Sequence, residues 1–266
     1  MKGARGVALD RCVVETTGVT HDGAADREWM IVDGDGRFVT QRDVAALALV
    51  SPSVHAGGLR LDAPGRAPLL VDAARVANDA REVQVWRSHV RGHDAGDEAA
   101  RWLSAHLARD VRLVRFDRSK PRRCNPDFVG RSGAHTLFAD GYPVLVIGSA
   151  SLADLNARLA SRGHPPLPMN RFRPNVVVDG LAPYDEDHVE TLAAGDVVLR
   201  MVKPCTRCQV TTIDQASAAA GIEPLPTLAL YRHDARHAGV TFGMNAIVER
   251  GGAQAAGQRA DVAMRF

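Results

Sequence analysis

The 266-residue chain has only four cysteines, Cys12, Cys124, Cys205 and Cys208. They are too few and too scattered for a disulfide framework, which argues against a small secreted protein and for a reducing compartment. No apolar run is long enough to span a bilayer, and no signal-peptide pattern opens the sequence. We therefore expect a soluble cytoplasmic protein of bacterial type with no membrane partner.

The sequence also lacks an excess of charge of either sign. Its 33 lysines and arginines nearly balance 31 aspartates and glutamates, for a formal charge of +2. A balanced chain argues against nonspecific binding to nucleic acid as the main task. The length allows a substantial core in one large or two modest domains.

Short runs of strand-forming residues, separated by glycine, proline and aspartate, fill the first part of the chain. The predicted strands are 28–32 and 37–40, which form a hairpin, then 46–50, 58–61, 69–71 and 82–86. This spacing favours a barrel or sandwich over βαβ units. One helix is predicted after an N-cap at 94–97, since Ala100, Leu103 and Leu107 recur at helical spacing.

An aperiodic charged segment at 117–133, which contains Lys120, Pro121, Arg122 and Arg123, predicts a boundary between domains 1–116 and 117–266. Such a basic loop is usually solvated surface, although it can also contact an anionic ligand or partner. The second part predicts a buried strand at 143–147 and a helix at 149–162, with Ser151 and Asp154 in a capping-box spacing. Further strands are predicted at 175–178, 196–202, 209–213 and 240–248.

Two cysteines three positions apart, Cys205 and Cys208, are the strongest chemical signal. Lys203 and Arg207 accompany them, and the nearest acid is Asp214. Cationic neighbours stabilise the thiolate, which is the form that attacks and that ligates metals. Because β-branched residues follow, we expect the pair on a loop that leads into a strand.

Spacing alone leaves several interpretations of this pair open. A closed zinc site needs two more ligands, for which His233 and His237 have a suitable spacing but lie in a charged segment typical of a surface turn. A thioredoxin-like pair should open a helix, whereas residues 209–213 favour a strand. The pair can also supply a thiolate to a metal that an organic cofactor brings in, or be a buried structural pair.

Motifs along the whole chain resemble the MOSC superfamily, and most closely its branch of amidoxime-reducing proteins. The residues that carry the resemblance are Lys2-Gly3-Ala4-Arg5-Gly6, Asp26-Arg27-Glu28-Trp29, Phe38-Val39-Thr40-Gln41-Arg42, Asp94-Ala95-Gly96-Asp97, Phe138-Ala139-Asp140-Gly141-Tyr142-Pro143, Arg171-Phe172-Arg173-Pro174-Asn175, Pro204-Cys205-Thr206-Arg207-Cys208 with its continuation to Asp214, and Phe242-Gly243-Met244-Asn245. The resemblance implies a mainly β, or α+β, fold of two β-barrel-like domains with a few helices.

The resemblance also implies a molybdopterin-bound molybdenum cofactor, with Cys208 as the metal ligand and catalytic residue and Cys205 as a nearby thiol. It assigns cofactor contacts to Lys2, Gly3, Arg27, Gly141, Tyr142, Arg173, Asn175, Thr206 and Arg207. Arginine suits this task because its planar fork grips phosphate oxygens in pairs. Arg171 and Arg173 alternate in sequence, so on a strand they would face opposite sides.

Two departures from the family pattern affect these expectations. Family members normally have a β-strand before the Lys2 segment, whereas Lys2 here follows Met1 directly. We therefore expect a weakened barrel or a mobile Lys2, unless the start codon is misassigned. Gly3 stands where the mitochondrial proteins have serine, so a side-chain contact there becomes a backbone contact.

The activity that the resemblance implies is a molybdenum-dependent oxidoreductase that reduces N-hydroxylated small molecules such as amidoximes, hydroxylamines and N-hydroxylated bases. The sequence has neither a plant-type iron–sulfur spacing nor a nucleotide-binding glycine motif. Electrons should therefore come from a separate reductase or ferredoxin-like partner, docking around Arg122 and Arg123. The alternatives are a cofactor carrier or sulfur-handling protein without turnover, and a thiol–disulfide protein.

Overall fold

The computed structural model describes residues 1–55, 57–76, 80–120 and 122–265. The first half contains β1 (Arg11–Glu15), β2 (Gly18–His21), β3 (Ala24–Ala25), β4 (Trp29–Val32), β5 (Ser51–His55), β6 (Gly58–Asp62), β7 (Leu69–Val71), β8 (Ala80–Val85), β9 (Ser88–Asp94), α1 (Asp97–Leu107) and β10 (Arg112–Phe116). The second contains β11 (Arg122–Arg123), α2 (Pro126–Val129), β12 (His135–Thr136), β13 (Val144–Gly148), α3 (Ser149–Ser161), β14 (Val176–Val178), β15 (Val189–Ala194), β16 (Val197–Thr206), α4 (Leu225–Ala229), β17 (His233–Asp234), β18 (Gly239–Arg250), β19 (Gly252–Ala255) and β20 (Asp261–Met264). Short 3₁₀ helices span Ala45–Leu49, Ala73–Arg75, Gly130–Ser132, Met169–Arg171, Asp185–Asp187, Gln209–Thr212 and Ala235–His237.

The central sheet of the first half has the antiparallel order β4-β10-β9-β8 and is covered on both faces. Successive side chains of a strand point to opposite faces. Trp29 and Ile31 accordingly enter one apolar core with α1, while Met30 and Val32 enter another. Because both faces are apolar, β4 reads as a continuous hydrophobic run. The preceding residues 26–28 are thus tied to a rigid strand.

The main sheet of the second half has the order β14-β13-β18-β16-β15-β20, with β17 added at β18. Only the β13–β14 pair is parallel among the described pairs of this sheet. The register of β16 against β18 shifts between Met201 and Lys203 and again between Pro204 and Thr206. Proline lacks the N–H that a ladder needs, and bulges re-aim the side chains near them. These shifts therefore set the direction in which the chain leaves β16.

The two halves interlock, since β1 pairs with β19 and Val14 packs into the core of the second sheet. The predicted mainly β architecture of two barrel-like parts with few helices is confirmed. The domain boundary at 116/117 stays a prediction, and Pro121 of that basic segment lies outside the described residues. No helix in the described ranges is long and apolar enough to cross a membrane.

Two predicted strands are wrong, and a third, 37–40, is reduced to isolated bridges that Arg37 forms with Gln84 and Phe38 forms with Val32. Residues 46–50 lie largely in the 3₁₀ helix Ala45–Leu49, and the strand begins only at Ser51. Residues 209–213 also form a 3₁₀ turn, because the hydroxyls of Thr211 and Thr212 donate to the carbonyl oxygens of Cys208 and Gln209. Such local bonds compete with a strand ladder. The cysteine pair therefore lies at the end of a strand and does not lead into one.

Two other local predictions are also wrong. Arg171 ends a 3₁₀ helix and Arg173 has a left-handed backbone, so the two arginines do not alternate along a strand. Helix α3 begins after Gly148, and no side chain caps it. The hydroxyl of Ser151 instead donates to buried Glu186, which fixes that helix against the following loop.

Candidate cofactor site

The two cysteines of the motif have different surroundings. Cys205 is the penultimate residue of β16 and packs beside Phe172 and Phe242, so its thiol is partly buried. Cys208 follows the strand, precedes the 3₁₀ turn and is exposed. Within the described residues, the Cys208 thiol forms no hydrogen bond. Cys208 is therefore the sulfur free to meet a ligand from outside the chain.

Arg207 fixes the short connection between the two cysteines. Its backbone N–H donates to the carbonyl oxygen of Val240 over 2.8 Å. Its guanidinium reaches back, with Nη1 3.0 Å from the Cys205 sulfur and Nη2 2.6 Å from the Phe172 carbonyl oxygen. Thr206 is exposed opposite Thr241 of β18. The geometry thus places this cation against Cys205 and turns Cys208 outward.

Residues 172–175 connect this segment to the first half of the chain. Asn175 fixes them, because its N–H donates to the Leu145 carbonyl (2.8 Å) and its Oδ1 accepts from the Leu145 N–H (3.0 Å). The Phe172 carbonyl accepts from Arg207, and the next carbonyl, that of Arg173, accepts from Arg27 Nη2 over 3.3 Å. Successive carbonyls thus hold arginines from opposite halves of the chain.

Asp26, Arg27 and Asn175 form a compact polar cluster. The guanidinium of Arg27 pairs with Asp26 and lies 3.5 Å from Asn175 Oδ1. The Asn175 amide donates to the same Asp26 carboxylate over 2.7 Å. Arg173 completes the cluster and donates to the carbonyl oxygens of Met1 and Ala4. These side chains are held in place without any added group.

Lys2 joins the cluster from the N-terminal segment. Its backbone N–H donates to the Trp29 carbonyl, and its ammonium donates to Asp140. The Lys2 side chain is 6% exposed, whereas that of Asp140 is 74% exposed. The sequence predicts a mobile lysine, but the Lys2 side chain is buried and ion-paired. The exposed Asp140 also accepts from the Trp86 indole, 2.9 Å away.

Gly3, Gly141 and Tyr142 complete the predicted contacts. Gly3 has a φ of +79°, and an added Cβ would lie 2.8 Å from Leu47 Cδ2, so a larger residue would strain this turn. The Gly141 backbone is open, because no heavy atom lies within 4 Å of a Cβ built there. Tyr142 stacks edge-on against Phe128, and burial of its phenol raises its pKa to about 12.

The electrostatics of the cluster favour an additional anion. Burial and the neighbouring Arg27 lower the pKa of Arg173 to about 10. Burial also lowers the pKa of Lys2, although Asp140 opposes this effect. The pKa of Asp140 lies below its usual value because Lys2 outweighs desolvation. Lys2, Arg27 and Arg173 thus share the carboxylates of Asp26 and Asp140, and the surroundings of Lys2 and Arg173 disfavour their charged forms.

Arg122, predicted in a solvated docking loop, is buried. Its guanidinium donates to the carbonyl oxygens of Leu137, Ala139 and Asp140, and burial lowers its pKa. A side chain with three internal acceptors cannot contact a partner. Arg122 instead fixes the loop that carries Asp140 and Gly141, while the neighbouring Arg123 is exposed.

The donors present fit an anionic cofactor. Nε of Arg207 and Nε of Arg171 are buried and have no hydrogen-bond partner among the described residues. In the same residues, no group of three or more His, Cys, Asp or Glu side chains could hold a metal ion. Orphaned arginine N–H groups beside an excess of cations suit phosphate oxygens.

Direct hydrogen bonds bring Arg27 together with Arg173 and Asn175. Lys2 lies beside them through its ion pair with Asp140, and Arg207 is linked to them through the carbonyl of Phe172. It also adds residues that the sequence did not assign to the site, namely Asp26, Asp140 and the Phe172 carbonyl. Asp26 and Asp140 lie inside quoted motifs, so their position was a usable signal. No sequence signal pointed to the Phe172 carbonyl, because a backbone acceptor does not depend on residue type.

Comparison with known families agrees with this architecture. The profile of the MOSC N-terminal beta barrel domain matches residues 1–110, and that of the MOSC domain matches residues 134–261. The chain therefore belongs to the MOSC family, in its two-domain form, and the resemblance seen in the sequence is confirmed.

Individual relatives cover most of the chain. Mitochondrial amidoxime reducing component 2 of Bos taurus is 34% identical over 237 residues, which are 87% of this chain and 69% of the relative. Mitochondrial amidoxime-reducing component 1 of Homo sapiens is 32% identical over 239 residues, again 87% of this chain and 69% of the relative. Molybdenum cofactor sulfurase of Oryza sativa subsp. japonica is 30% identical over 248 residues, 87% of this chain but 30% of the relative.

Proposed function

We propose that the protein is a molybdenum-cofactor-dependent reductase of N-hydroxylated compounds such as amidoximes and hydroxylamines. Two electrons and two protons convert the N–OH group to N–H and release water. The relatives named amidoxime reducing components support this activity. One observation carries the proposal. Lys2 and Arg27 of the first half of the chain lie together with Arg173 of the second half, and the carbonyl of Phe172, the residue before Arg173, accepts from Arg207.

The cations would hold the cofactor phosphate. Arg173 already donates to two carbonyls, and its lowered pKa indicates that its positive charge lacks full compensation. A phosphate beside Arg27 and Arg173 would supply the missing anion and restore the charge balance. Gly3, Gly141 and Tyr142 would contribute backbone and ring surface, with Thr206 and Asn175 as polar contacts.

Cys208 would ligate the molybdenum, since its thiol is exposed and free of internal bonds. When bound, a molybdenum dithiolene centre supplies two-electron and oxygen-atom transfer. Cys205 would remain a neighbouring thiol held by Arg207. This division gives the two cysteines of one motif separate tasks.

A proton must reach the departing oxygen. Asp26 has its pKa lowered to about 2, and that of Asp140 is also below its usual value. Both carboxylates are therefore ionised at neutral pH and cannot serve as general acids there. We assign the proton to solvent, which has access because Cys208 is exposed.

Electrons would come from a separate reductase or ferredoxin-like protein. The sequence suggested that the partner docks around Arg122 and Arg123. Arg122 is buried and does not belong to such a surface, whereas Arg123 is exposed and could contact the partner. The cytoplasmic location also stays a prediction, since the amidoxime-reducing relatives are mitochondrial by name.

The proposal is tested with protein produced in a host that makes the molybdenum cofactor. Bound molybdenum is measured by mass spectrometry, and conversion of benzamidoxime to benzamidine is followed with a chemical electron donor. We expect molybdenum near one atom per chain and catalytic turnover. Loaded protein that reduces none of several N-hydroxylated compounds would be a cofactor carrier, and protein that takes up no molybdenum would refute the cofactor assignment.

A further inference from the structure

A cavity of about 1050 Å³ lies beside the candidate cofactor site and has Asp140 and Gly141 in its wall. Ligand pockets commonly have volumes of about 300–1,000 Å³, so a small organic molecule fits here. The rest of the wall comes from segments around 37–43, 84–88 and 122–126. The cofactor contacts proposed above leave most of this cavity unused.

Two aromatic rings form one wall of the cavity, which we call the Phe38–Trp86 wall. Their centroids are 5.1 Å apart, and Trp86 is 42% exposed. Trp86 also has a left-handed backbone, with a φ of 54°. A bulky residue in this conformation is uncommon, and such strain occurs preferentially at ligand sites.

This wall connects the cavity to the cofactor site. The Lys2 ammonium lies 5.1 Å from the Phe38 ring centroid, and the Trp86 indole donates to Asp140, the partner of Lys2. The Arg42 guanidinium lies 4.5 Å from the Trp86 ring centroid and 6.0 Å from that of Phe38. The two rings are inclined at 57°, so a planar ligand stacks on one of them, the exposed Trp86, where it would lie close to Arg42 and Asp140.

The charges in the cavity wall favour an anion. Its charged residues are Arg37, Arg42, Arg87, Arg122, Arg123, Asp43 and Asp140. Across the described ranges, no carboxylate forms an ion pair with Arg42, Arg87 or Arg123. Asp140 is already paired with Lys2, and the Asp43 carboxylate accepts from Thr40. The unpaired guanidinium groups therefore dominate the field inside the cavity.

We propose that this cavity is the substrate pocket and that it selects planar molecules carrying an anionic group. The assignment of the ligand as a substrate rests on the proposed function. The ligand ring stacks on Trp86 of the Phe38–Trp86 wall, and its anionic group faces Arg42 and Arg87. Its other end lies toward Asp140 and Gly141, the edge that the cavity shares with the cofactor site.

Binding is measured by isothermal titration calorimetry with three amides that cannot be reduced: 4-carboxybenzamide, benzamide and 4-(aminomethyl)benzamide. They have the same planar core and carry negative, zero and positive charge. We expect the anion to bind about tenfold more tightly than benzamide, the factor expected of one charge-assisted hydrogen bond, and the cation to bind most weakly. Equal affinities for the anion and benzamide would overturn the proposal.

Substitutions in the cavity wall test which residues cause the preference for an anionic ligand. Arg87→Gln, at an exposed position, and Arg42→Gln should each remove most of the anion preference, whereas Arg87→Lys should keep most of it. Trp86→Leu should weaken all three amides together, and Trp86→Phe should weaken them less. Arg259→Gln is the charge-matched control, because this side chain is 92% exposed and lies outside the cavity wall. A similar loss in Arg259→Gln would refute the assignment, and circular dichroism checks that each variant folds.

Activity then separates this proposal from the proposed function. If the protein reduces benzamidoxime but shows no preference for 4-carboxybenzamidoxime in kcat/KM, the function stands and the pocket assignment fails. If the amides bind with the expected order but no N-hydroxylated compound is reduced, the anion site stands and the reductase fails. The calorimetric result does not depend on molybdenum loading.

Discussion

Arg27 donates from Nη2 to the carbonyl oxygen of Arg173 over 3.3 Å, and both residues have left-handed backbones, with φ of 54° and 56°. This conformation costs a non-glycine residue about 1–2 kcal/mol. The fold therefore stabilises two strained arginines in contact, although their like charges repel. A phosphate beside them, as proposed for the cofactor, would relieve that repulsion.

Replacing Arg173 should therefore release the cofactor. We expect Arg173→Met to lower the bound pterin and molybdenum at least tenfold, since a charge-assisted contact worth about 1.5–3 kcal/mol is lost. Arg173→Lys should retain an intermediate amount, because a lysine keeps the charge but not the planar fork. Pterin is measured by fluorescence after oxidation. Arg236→Met, at a side chain that is 85% exposed, is the control, and wild-type pterin in Arg173→Met would contradict the assignment.

The two cysteines should respond differently to alanine. Cys208→Ala should abolish molybdenum binding and change the free energy of unfolding by less than about 0.5 kcal/mol, because the residue is exposed. Cys205→Ala should keep measurable molybdenum but cost about 1 kcal/mol of stability, because Cys205 packs beside Phe172 and accepts from Arg207. Metal content and urea denaturation measure these effects. Equal metal loss in both variants would reverse the assignment of the ligand.

The sequence predicted the strand-rich fold and helix α1 because both depend on repeated local patterns. It failed at 209–213, where β-branched residues suggested a strand but threonine hydroxyls close a 3₁₀ turn. It failed again at Arg173, whose conformation depends on partners more than a hundred residues away. The resemblance named the arginines of the candidate site, but no local pattern reveals that consecutive carbonyls join them or that Trp86 faces a cavity.

Asp26 should make stability depend on acid pH. Desolvation would raise its pKa, but the neighbouring positive groups, Arg27 first among them, and the Asn175 amide outweigh it and lower the pKa from 3.8 to about 2. A depressed carboxyl pKa stabilises the fold above the unfolded-state value, and this contribution is lost as the pH falls from about 4 to about 2. It amounts to about 2 kcal/mol at pH 7, since one pKa unit corresponds to about 1.4 kcal/mol.

We therefore expect Asp26→Asn to be about 2 kcal/mol less stable than the wild type at pH 7, with the difference shrinking as the pH approaches 2. Urea denaturation at pH 7, 4 and 2.5 measures this convergence. Asp35→Asn, at a side chain that is 76% exposed, should change the free energy of unfolding by less than about 0.5 kcal/mol at pH 7. A pH-independent difference for Asp26→Asn would show that its carboxylate is not stabilised as described.

Gly243 should be required for the path of β18 beside the cysteine segment. Its φ is +79°, and an added Cβ would lie 2.6 Å from Ile147 Cγ1 and 2.8 Å from the Val146 carbonyl oxygen. Gly243→Ala should therefore cost about 2–4 kcal/mol, from both the left-handed backbone and overpacking. Gly257→Ala is the matched control, since Gly257 has a φ of +76° but no heavy atom within 4 Å of its Cβ position.

The difference between these two glycine variants isolates the steric contribution, because both carry the same backbone penalty. The displacement in Gly243→Ala should also reach the site, since Asn245, two residues on, donates to the Lys203 and Pro204 carbonyls just before Cys205. We expect this variant to bind less molybdenum than Gly257→Ala under conditions in which both are folded. Urea denaturation and metal analysis of the same preparations measure the two effects. Equal stability losses would show that β13 moves aside at little cost, and the contact would then not define the position of β18.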